Sequence, residues 1–398
     1  MKKTFALLLV LLLCLLTPAC QDADGLRTVE LHEVTRSVFY APQYVAISMG
    51  FFEDEGLDVR ITTSGGSDKA MTALLSGQAD ICLAGPETGV YVYNEGKADH
   101  PLIVGQLTKR DGSFLVGRID EPDFSWESLR GKSIIGGRAG GMPLMTLEYV
   151  LKAHGLEPGV DVDVIDSIQF NLMGGAFEGG TGDYVTLFEP TATEFERAGK
   201  GYIVANVGLA SGEVPYTVYL ISQTMLQQDA AFVESFLRAV YRAQRWIATA
   251  SDREVAEAME PFFPDASIES LMIVANSYRA TDSWKQDPIM QEADYERMLD
   301  IIEEAGALRA RPDFAALVDN SIAERIVAEG DCPCAAGRSA LRAPAGRRPP
   351  SAHPVSVRRF LNRESISAAP APQTNPSATS ERNTRLSWNS RSISENAT

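Results

Sequence analysis

The sequence has few cysteines, and few basic residues compared with acidic ones. Its 398 residues include five cysteines, 36 lysines and arginines together and 53 acidic residues, which gives a formal net charge of −17. A surface that binds nucleic acid needs a basic face to contact phosphates, so this charge argues against nucleic-acid binding. Much of the positive charge lies at one end, because residues 331–398 hold ten arginines against four acidic residues.

The cysteines do not form a recognisable disulfide framework. Cys14 and Cys20 lie in the N-terminal segment, and Cys332 and Cys334 lie near the C-terminal end, separated by one proline. Cys82 lies in an apolar run that predicts a strand, so we expect it to be a small buried side chain. A single CxC pair is too common to define a metal or redox site, and no metal site is predicted.

Motifs of common hydrolases and nucleotide-binding enzymes are also missing from the sequence. It contains no HExxH, no GxSxG and no GxxxxGK[ST], and its four histidines are not grouped with acidic residues. These absences predict a protein that is not an enzyme and that needs no cofactor.

The one long apolar run lies at the N-terminus. Two lysines precede an apolar stretch from Phe5 to Leu16, which is shorter than the roughly 20 residues of a membrane-spanning helix. This pattern predicts a secretory signal over residues 1–20. The four residues that end at Cys20 resemble a bacterial lipoprotein cleavage box, with Thr17 where Leu is usual. We therefore expect an exported protein with a lipid anchor on Cys20, facing the periplasm or the outside; the alternative is ordinary cleavage and a freely soluble product.

Between residues 27 and 330 the pattern is that of an α/β protein followed by helices. Alternating or fully apolar short runs predict strands. The predicted strands are 28–34, 57–62, 79–83, 114–117, 132–135, 162–165, 184–188, 202–207 and 216–221. Prolines and glycines at their expected positions predict helices after the first, second and fifth of these strands. Further helices are predicted at 232–246, 252–259, 268–278, 288–305 and 315–328.

The composition changes near residue 331. Residues 331–398 are rich in Pro, Ser, Ala, Arg and Asn and lose all apolar periodicity. Such a segment cannot bury enough apolar surface to offset its chain entropy, so we predict a disordered tail. A frameshifted or fused reading frame is an alternative origin for it.

Several loops that follow predicted strands carry residues suited to ligand binding, because ligands of open parallel sheets bind outside the carboxyl ends of the strands. Aromatic side chains there can stack on a flat ligand, and glycine-rich helix starts offer backbone N–H groups to an anion or a carbonyl oxygen. The residues expected to contact a ligand are Phe39, Tyr40, Gly66, Ser67, Asp68, Pro86, Glu87, Thr88, Arg138, Gly140, Gly141, Tyr184, Glu189 and Tyr216.

Three charged residues of this set bear on the chemistry of the ligand. Glu87 and Glu189 are expected to face each other across a cleft, where paired acids suit a ligand that donates N–H groups and repel an anion. The alternative is that one of these acids caps a helix or meets Arg110. Arg138 lies in the glycine-rich loop 136–143 and can pair with a sulfonate or phosphate, or remain solvated.

The chain resembles the substrate-binding proteins of ABC importers for thiamine pyrimidine precursors, sulfonates and nitrate. The segments that carry the resemblance are 40–46 (YAPQYVA), 50–52 (GFF), 55–57 (EGL), 73–81 (ALLSGQADI), 129–132 (LRGK), 182–184 (GDY) and 189–190 (EP). The resemblance implies an α/β, two-lobe, type II-like periplasmic-binding-protein fold with two crossing strands at the hinge and a helical C-terminal part. Lobe 1 would comprise residues 27–115 plus 216–330, and lobe 2 residues 116–215.

The resemblance also implies a function and partners. The pyrimidine-precursor branch is the most similar, so the expected protein is a monomeric, membrane-anchored receptor. It would deliver a small nitrogen heterocycle to a permease and an ATPase. A sulfonate-, taurine- or nitrate-binding protein is the alternative, and a sensor or surface adhesin on the same fold also remains open. An enzyme similar to the family's pyrimidine synthase is a remote possibility, because its cysteine-rich iron motif is missing here.

Overall fold

Two five-stranded mixed sheets organise residues 25–330, the part of the chain that this computed structural model describes. The strands are β1 (Arg27–Glu33), β2 (Leu57–Thr63), β3 (Ile81–Ala84), β4 (Pro101–Thr108), β5 (Ser113–Gly117), β6 (Ser133–Ile135), β7 (Asp163–Ile165), β8 (Tyr184–Phe188), β9 (Tyr202–Asn206) and β10 (Thr217–Ser222). Each sheet with the helices packed on it forms one lobe.

Helices follow most strands and then dominate the C-terminal part. The helices are α1 (Ala41–Ser48), α2 (Phe51–Asp54), α3 (Ser67–Leu75), α4 (Glu87–Asn94), α5 (Met142–Ala153), α6 (Met173–Glu178), α7 (Thr191–Arg197), α8 (Val207–Ser211), α9 (Gln223–Gln228), α10 (Ala230–Thr249), α11 (Asp252–Met259), α12 (Ile268–Ala280), α13 (Glu292–Glu304), α14 (Phe314–Leu317) and α15 (Ser321–Gly330). In the described residues no helix is both long and apolar enough to cross a membrane.

The two sheets share one pattern of strand order. The first sheet has the order β2-β1-β3-β10-β4, in which β1 pairs parallel with β2 and β3 while β10 pairs antiparallel with β3 and β4. The second has the order β7-β6-β8-β5-β9, with β5 as its antiparallel strand. In each sheet the antiparallel strand is the one that the chain enters from the other lobe. This arrangement is the predicted α/β two-lobe fold with two crossings.

The first crossing lies a few residues earlier than the sequence placed it. Ser113 already pairs with Phe188, so all of β5 belongs to the second sheet. The chain therefore leaves the first lobe at residues 109–112 and not after residue 115, because β5 satisfies its backbone hydrogen bonds on β8 and β9. The return from the second lobe runs through residues 207–216 and ends at β10, close to the predicted position.

Most predicted elements occur with small shifts. The strand β4 and the short helices α2, α4, α6, α7, α8 and α9 were not predicted from the sequence. The single helix predicted at 315–328 is two helices, α14 and α15. Asp319 lies between them and accepts a hydrogen bond from the backbone N–H of Ser321 at 2.9 Å, which starts a new helix there.

The C-terminal helices build the core beneath the first sheet. Phe236, Leu237 and Val240 on α10 are fully buried, and the ring of Phe236 packs edge-on against Tyr219 of β10 with 5.0 Å between centroids. Cys82 is a free, buried cysteine in β3, as predicted. The predicted signal at 1–20, the lipid site Cys20 and the tail at 331–398 lie outside the described residues.

Candidate functional site

A cavity opens between the lobes at the carboxyl ends of the parallel strands. It is a small cavity of about 70 Å³. This volume lies below the roughly 300 Å³ at the lower end of small-molecule sites in proteins. The residues that line it are Val34, Tyr40, Gly66, Ser67, Gly85, Glu87, Gly137, Arg138, Gly141, Met142, Pro143, Phe170, Phe188, Tyr216 and Thr217.

Glu87 provides the buried charge of this cavity. It is the first residue of α4 and is only 2% exposed. Its carboxylate is turned back over Gly85, where a Cβ atom would lie 2.0 Å from Oε2. Within the part of the chain that the structure describes, Oε2 has no hydrogen-bond partner. A buried carboxylate oxygen without a partner is costly, so this atom is an acceptor available to a ligand.

Burial raises the pKa of Glu87 to about 7. The backbone N–H groups of Glu87 itself and of Met142 act in the opposite direction, as does the positive charge of Arg138, while Asp68 raises the pKa further. Since Met142 begins α5 in the second lobe, the carboxyl group of Glu87 contacts both lobes. The group therefore titrates near neutral pH at the point where the lobes meet.

Aromatic rings form the walls of the cavity. Tyr40 and Tyr216 are each 4% exposed. The rings of Phe170 and Phe188 have centroids 5.3 Å apart, and those of Phe188 and Tyr216 are 6.0 Å apart. Flat, rigid side chains in this arrangement can stack on a planar ligand. Phe39 differs from the expectation: it is fully buried behind these rings and does not line the cavity, because its ring packs against Phe188 and Tyr216.

Arg138 lies at the rim and belongs to a glycine-rich loop of the second lobe. Gly137 and Gly140 have φ angles of 111° and 76°, which only glycine adopts readily, and they fold the loop towards α4. The guanidinium Nη2 of Arg138 lies 3.5 Å from Oδ1 of Asp68 in the first lobe. Asp68 itself does not line the cavity. Gly140 does not line the cavity either, and its carbonyl accepts a hydrogen bond from the hydroxyl of Tyr91 at 2.9 Å.

Two predicted ligand residues have other roles in the structure. Glu189 accepts hydrogen bonds from the backbone N–H and the hydroxyl of Thr193, at 2.9 and 2.8 Å. It thus satisfies the start of α7 and does not face Glu87 across the cavity, so one of the two acids caps a helix. Tyr184 donates its hydroxyl to Glu121 at 2.6 Å and packs against Phe124, outside the cavity.

The loop before α4 lines the cavity with a glycine and not with the neighbouring residues that were predicted to contact the ligand. Gly85 lines the cavity, whereas Pro86 and Thr88 do not. The hydroxyl of Thr88 donates to the carbonyl of Gly85 at 2.7 Å, which fixes the turn that places Glu87. Arg110 does not meet either glutamate, because it pairs with Glu213 at 3.1 Å.

Sequence reasoning missed part of the lining. Phe170 lies in a short turn after β7, where no helix or strand pattern marks it. An aromatic residue soon after the carboxyl end of a parallel strand was the available signal. Val34 and Thr217 lie at strand ends, and Met142 and Pro143 lie at the start of α5, so all four come from the predicted edge of the sheets.

A second, more polar cavity lies on the other side of Phe170 and Phe188. Its volume is about 260 Å³, and Thr35, Asn171 and Thr191 are among its lining residues. The two phenylalanine rings line both cavities and separate them. In the described residues no group of three or more His, Cys, Asp or Glu side chains is arranged to hold a metal ion.

The strand orders of the two sheets and the cavity between them define a periplasmic-binding-protein fold. The model of the family described as "NMT1/THI5 like" matches residues 38–253. The chain belongs to this family, which confirms the resemblance seen in the sequence. A curated relative, "Putative binding protein YtlA" of Bacillus subtilis (strain 168), is 42% identical over 311 residues, covering 78% of this chain and 93% of the relative.

Solved structures share the fold at low sequence identity. The alkanesulfonate-binding protein SsuA from Xanthomonas axonopodis pv. citri, bound to MOPS, has a TM-score of 0.61 and 16% identity, covering 74% of this chain and 98% of SsuA. The periplasmic nitrate-binding protein NrtA from Synechocystis PCC 6803 has a TM-score of 0.61 and 17% identity, covering 78% of this chain and 90% of NrtA. At these identities the likeness concerns the fold alone.

Proposed function

We propose that the protein is the extracytoplasmic substrate-binding component of an ABC importer, and that it captures a small nitrogen heterocycle of the thiamine-pyrimidine type. The ligand would bind in the cavity between the lobes and be delivered to a permease coupled to an ATPase. Family membership and the two-lobe fold support the transport part of the proposal. Lobes of this kind close on a ligand by hinge motion, so the protein would bind its ligand reversibly and not convert it.

The buried acceptor at Glu87 is the observation that carries the choice of ligand. Glu87 lines the cavity, and its buried Oε2 atom has no partner in the described part of the chain. An aminopyrimidine offers an exocyclic N–H, and a ring N–H when protonated, which are the donors that such an oxygen lacks. The rings of Tyr40, Phe188 and Tyr216 favour a planar ligand for the same site.

A second candidate is a sulfonate or nitrate ligand, as bound by the similarly folded SsuA and NrtA. Arg138 lines the cavity and favours this candidate. The unpartnered carboxyl group of Glu87 opposes it when it is ionised, at and above about pH 7, because an anion placed in the cavity would then meet a like charge in a poorly solvated site. We therefore place the heterocycle first.

The N-terminal sequence supports an exported, membrane-anchored protein. The signal pattern at residues 1–20 favours export of the mature chain, and the cleavage box that ends at Cys20 favours a lipid on that residue. Such an anchor would hold the receptor near its permease. Mass spectrometry of the mature N-terminus, expressed in a host with the lipoprotein pathway, tests this part by showing a diacylglyceryl cysteine or an unmodified one.

Thermal unfolding of the full-length mature protein against a ligand panel tests the choice of ligand. The panel contains hydroxymethyl- and formylamino-pyrimidines, thiamine, riboflavin, taurine, butanesulfonate and nitrate. A true ligand at 100 times its dissociation constant stabilises the protein by about 2.7 kcal/mol. We expect the shift with pyrimidines and its loss in Glu87→Gln. Glu189→Gln is the matched control and should keep the shift, since Glu189 caps α7. A shift with sulfonates or nitrate alone contradicts the heterocycle but keeps the transport function.

A further inference from the structure

Arg138 is the single basic residue among the described residues that line the cavity, and it is already paired. Its Nη2 atom lies 3.5 Å from Oδ1 of Asp68, and Nη1 donates to the carbonyl of Ala139 at 3.4 Å. The ion pair joins the second lobe to the first across the rim. A guanidinium that binds an anion in two-point geometry needs these N–H groups free.

Asp68 lies beside the rim, with about half of its side chain exposed. Asp68 lies in the first turn of α3, and its carboxylate folds against the backbone of Gly66, where a Cβ atom would lie 2.6 Å from Oδ1. Gly66 lines the cavity while Asp68 does not, so the carboxylate lies just behind the rim. Its negative charge reaches the cavity, since it raises the pKa of Glu87 whereas Arg138 lowers it.

We infer that Asp68 determines the charge of the ligand by holding Arg138, without contacting the ligand itself. An anion that approached Arg138 would have to displace Asp68 and would then face the negative charges of Asp68 and Glu87. A heterocycle that donates N–H groups meets no such barrier. Rejection through like charge is a general source of binding specificity. The inference rests on the proposed function in one respect, namely that this cavity is the ligand site.

The test measures anion binding by isothermal titration in buffer of low ionic strength, with butanesulfonate and with nitrate as the probes. Wild type and Asp68→Asn are compared with the double variant Asp68→Asn/Arg138→Gln. We expect Asp68→Asn to bind butanesulfonate about fivefold more tightly than wild type, the size expected from one partly exposed charge. The double variant should return to the weak binding of wild type, because the gain acts through Arg138.

A matched control separates this effect from a change in net charge. Asp58 lies on β2 of the same lobe, pairs with Arg60 at 3.0 Å and does not line the cavity. Asp58→Asn should leave anion binding unchanged. Equal affinity in Asp68→Asn and wild type would overturn the inference, as would an equal gain in Asp58→Asn or a gain that survives removal of Arg138.

The outcomes distinguish a failure of this inference from a failure of the proposed function. If wild type binds no pyrimidine yet Asp68→Asn gains Arg138-dependent anion binding, the choice of ligand fails and the role of Asp68 stands. If wild type binds pyrimidine and Asp68→Asn gains no anion binding, the choice of ligand stands and the role of Asp68 fails. Asp68→Ser, a small polar residue also tolerated in the first turn of a helix, serves as a second variant, and circular dichroism verifies folding of each protein.

Discussion

Glu87 combines three properties that it shares with the buried Asp111. It is buried, one of its oxygens is unpartnered in the described structure, and burial raises its pKa to about 7. A purely structural carboxylate is normally surrounded by donors, as Glu33 is by Gln43, Tyr44 and Thr63. Unlike Glu33 and Asp111, Glu87 also lines the cavity, which supports the proposal that it contacts the ligand.

The raised pKa of Glu87 predicts that the free energy of unfolding of the ligand-free protein depends on pH. Between about pH 4.5 and 7 the folded state holds the proton of Glu87 while the unfolded state has lost it. Stability from this group is therefore present at low pH and lost as pH rises through 7. Glu87→Gln stays neutral, so we expect it to be more stable than wild type by about 2 kcal/mol at pH 8 and equal to it near pH 4.5.

Urea denaturation at pH 4.5, 6 and 8 measures this difference. Asp111 is also buried with a pKa raised to about 6, but it is present in both proteins and its contribution cancels in the comparison. The same variant should lose binding of the pyrimidine ligand at every pH. A difference in stability that does not change with pH would show that Glu87 is not buried as an acid in solution.

Gly85 gives a second prediction at the scale of one residue. A methyl group there would lie 2.0 Å from Oε2 and 2.6 Å from Cδ of Glu87, so Gly85→Ala must push the carboxylate out of place. We expect ligand affinity to fall at least about tenfold, comparable with the loss of a charged hydrogen bond. Gly175→Ala is the control, because a Cβ there has open space, and titration calorimetry measures both.

The loops that line the cavity were predicted from the sequence, but several of the side chains predicted in them do not line it. Tyr40, Glu87 and Arg138 line the cavity because each follows the carboxyl end of a parallel strand, a position that the pattern reveals. Glu189 occupies an equivalent position in the second lobe, yet its side chain turns to Thr193. The direction of a side chain depends on nearby donors and on how the lobes meet, and neither is encoded in local periodicity.

At the scale of elements, the contact between α4 and the loop 136–141 joins the two lobes beside the proposed ligand site. Tyr91 on α4 donates its hydroxyl to the carbonyl of Gly140 at 2.9 Å and approaches the sulfur of Met145 at 3.7 Å. Arg138 and Gly141 of the same loop line the cavity. One short loop therefore contacts both the opposite lobe and the cavity, and we expect closure and ligand contact to form together.

Tyr91→Phe tests this link. The variant keeps the ring and removes one hydrogen bond between the lobes, which contributes about 1 kcal/mol. We expect ligand affinity to fall about fivefold, mainly through faster dissociation, because the bond forms only when the lobes meet. Surface plasmon resonance resolves the two rates. Tyr184→Phe removes a similar hydrogen bond to Glu121, away from the site, and should leave both rates unchanged.

Elements were predictable where burial imposes a simple pattern. Alternating apolar residues marked β1, and helix periodicity marked α10, whose buried face includes Phe236, Leu237 and Val240. The strand β4 escaped because it begins with a proline and contains Gly105, which weakens a strand pattern. The structure explains that glycine: a Cβ there would lie 2.7 Å from the side chain of Leu237, so α10 packs directly on the backbone of β4.

At the scale of the whole molecule, the two crossings and the C-terminal helices meet in one ionic cluster. Lys109 lies at the first crossing and pairs with Asp282 at 2.6 Å. Arg110 pairs at 3.1 Å with Glu213, which lies on the return crossing. The backbone carbonyl of Glu213 accepts a hydrogen bond from Arg297 of α13 at 3.1 Å. Charges from three parts of the chain thus hold the hinge region to the first lobe.

Asp282 allows the contribution of this cluster to be measured. It has a φ of 51°, a left-handed conformation that asparagine adopts about as readily as aspartate. Asp282→Asn therefore removes the charge opposite Lys109 and keeps the backbone. Because Asp282 is about half exposed, we expect the free energy of unfolding to fall by only about 0.5 kcal/mol at low salt. The difference should vanish at 1 M salt, where screening is nearly complete at this distance.

Asp282→Ala separates the charge from the backbone. Alanine disfavours the left-handed region, so this variant should lose about 1 kcal/mol more than Asp282→Asn, and the additional loss should persist at 1 M salt. Urea denaturation of the three proteins at 20 mM and 1 M sodium chloride provides the comparison. If Asp282→Asn destabilises the protein equally at both salt concentrations, the cluster acts through its hydrogen-bond geometry and not through charge. In that case hydrogen bonds of the cluster hold the hinge, and ionic strength should not alter the closing of the lobes.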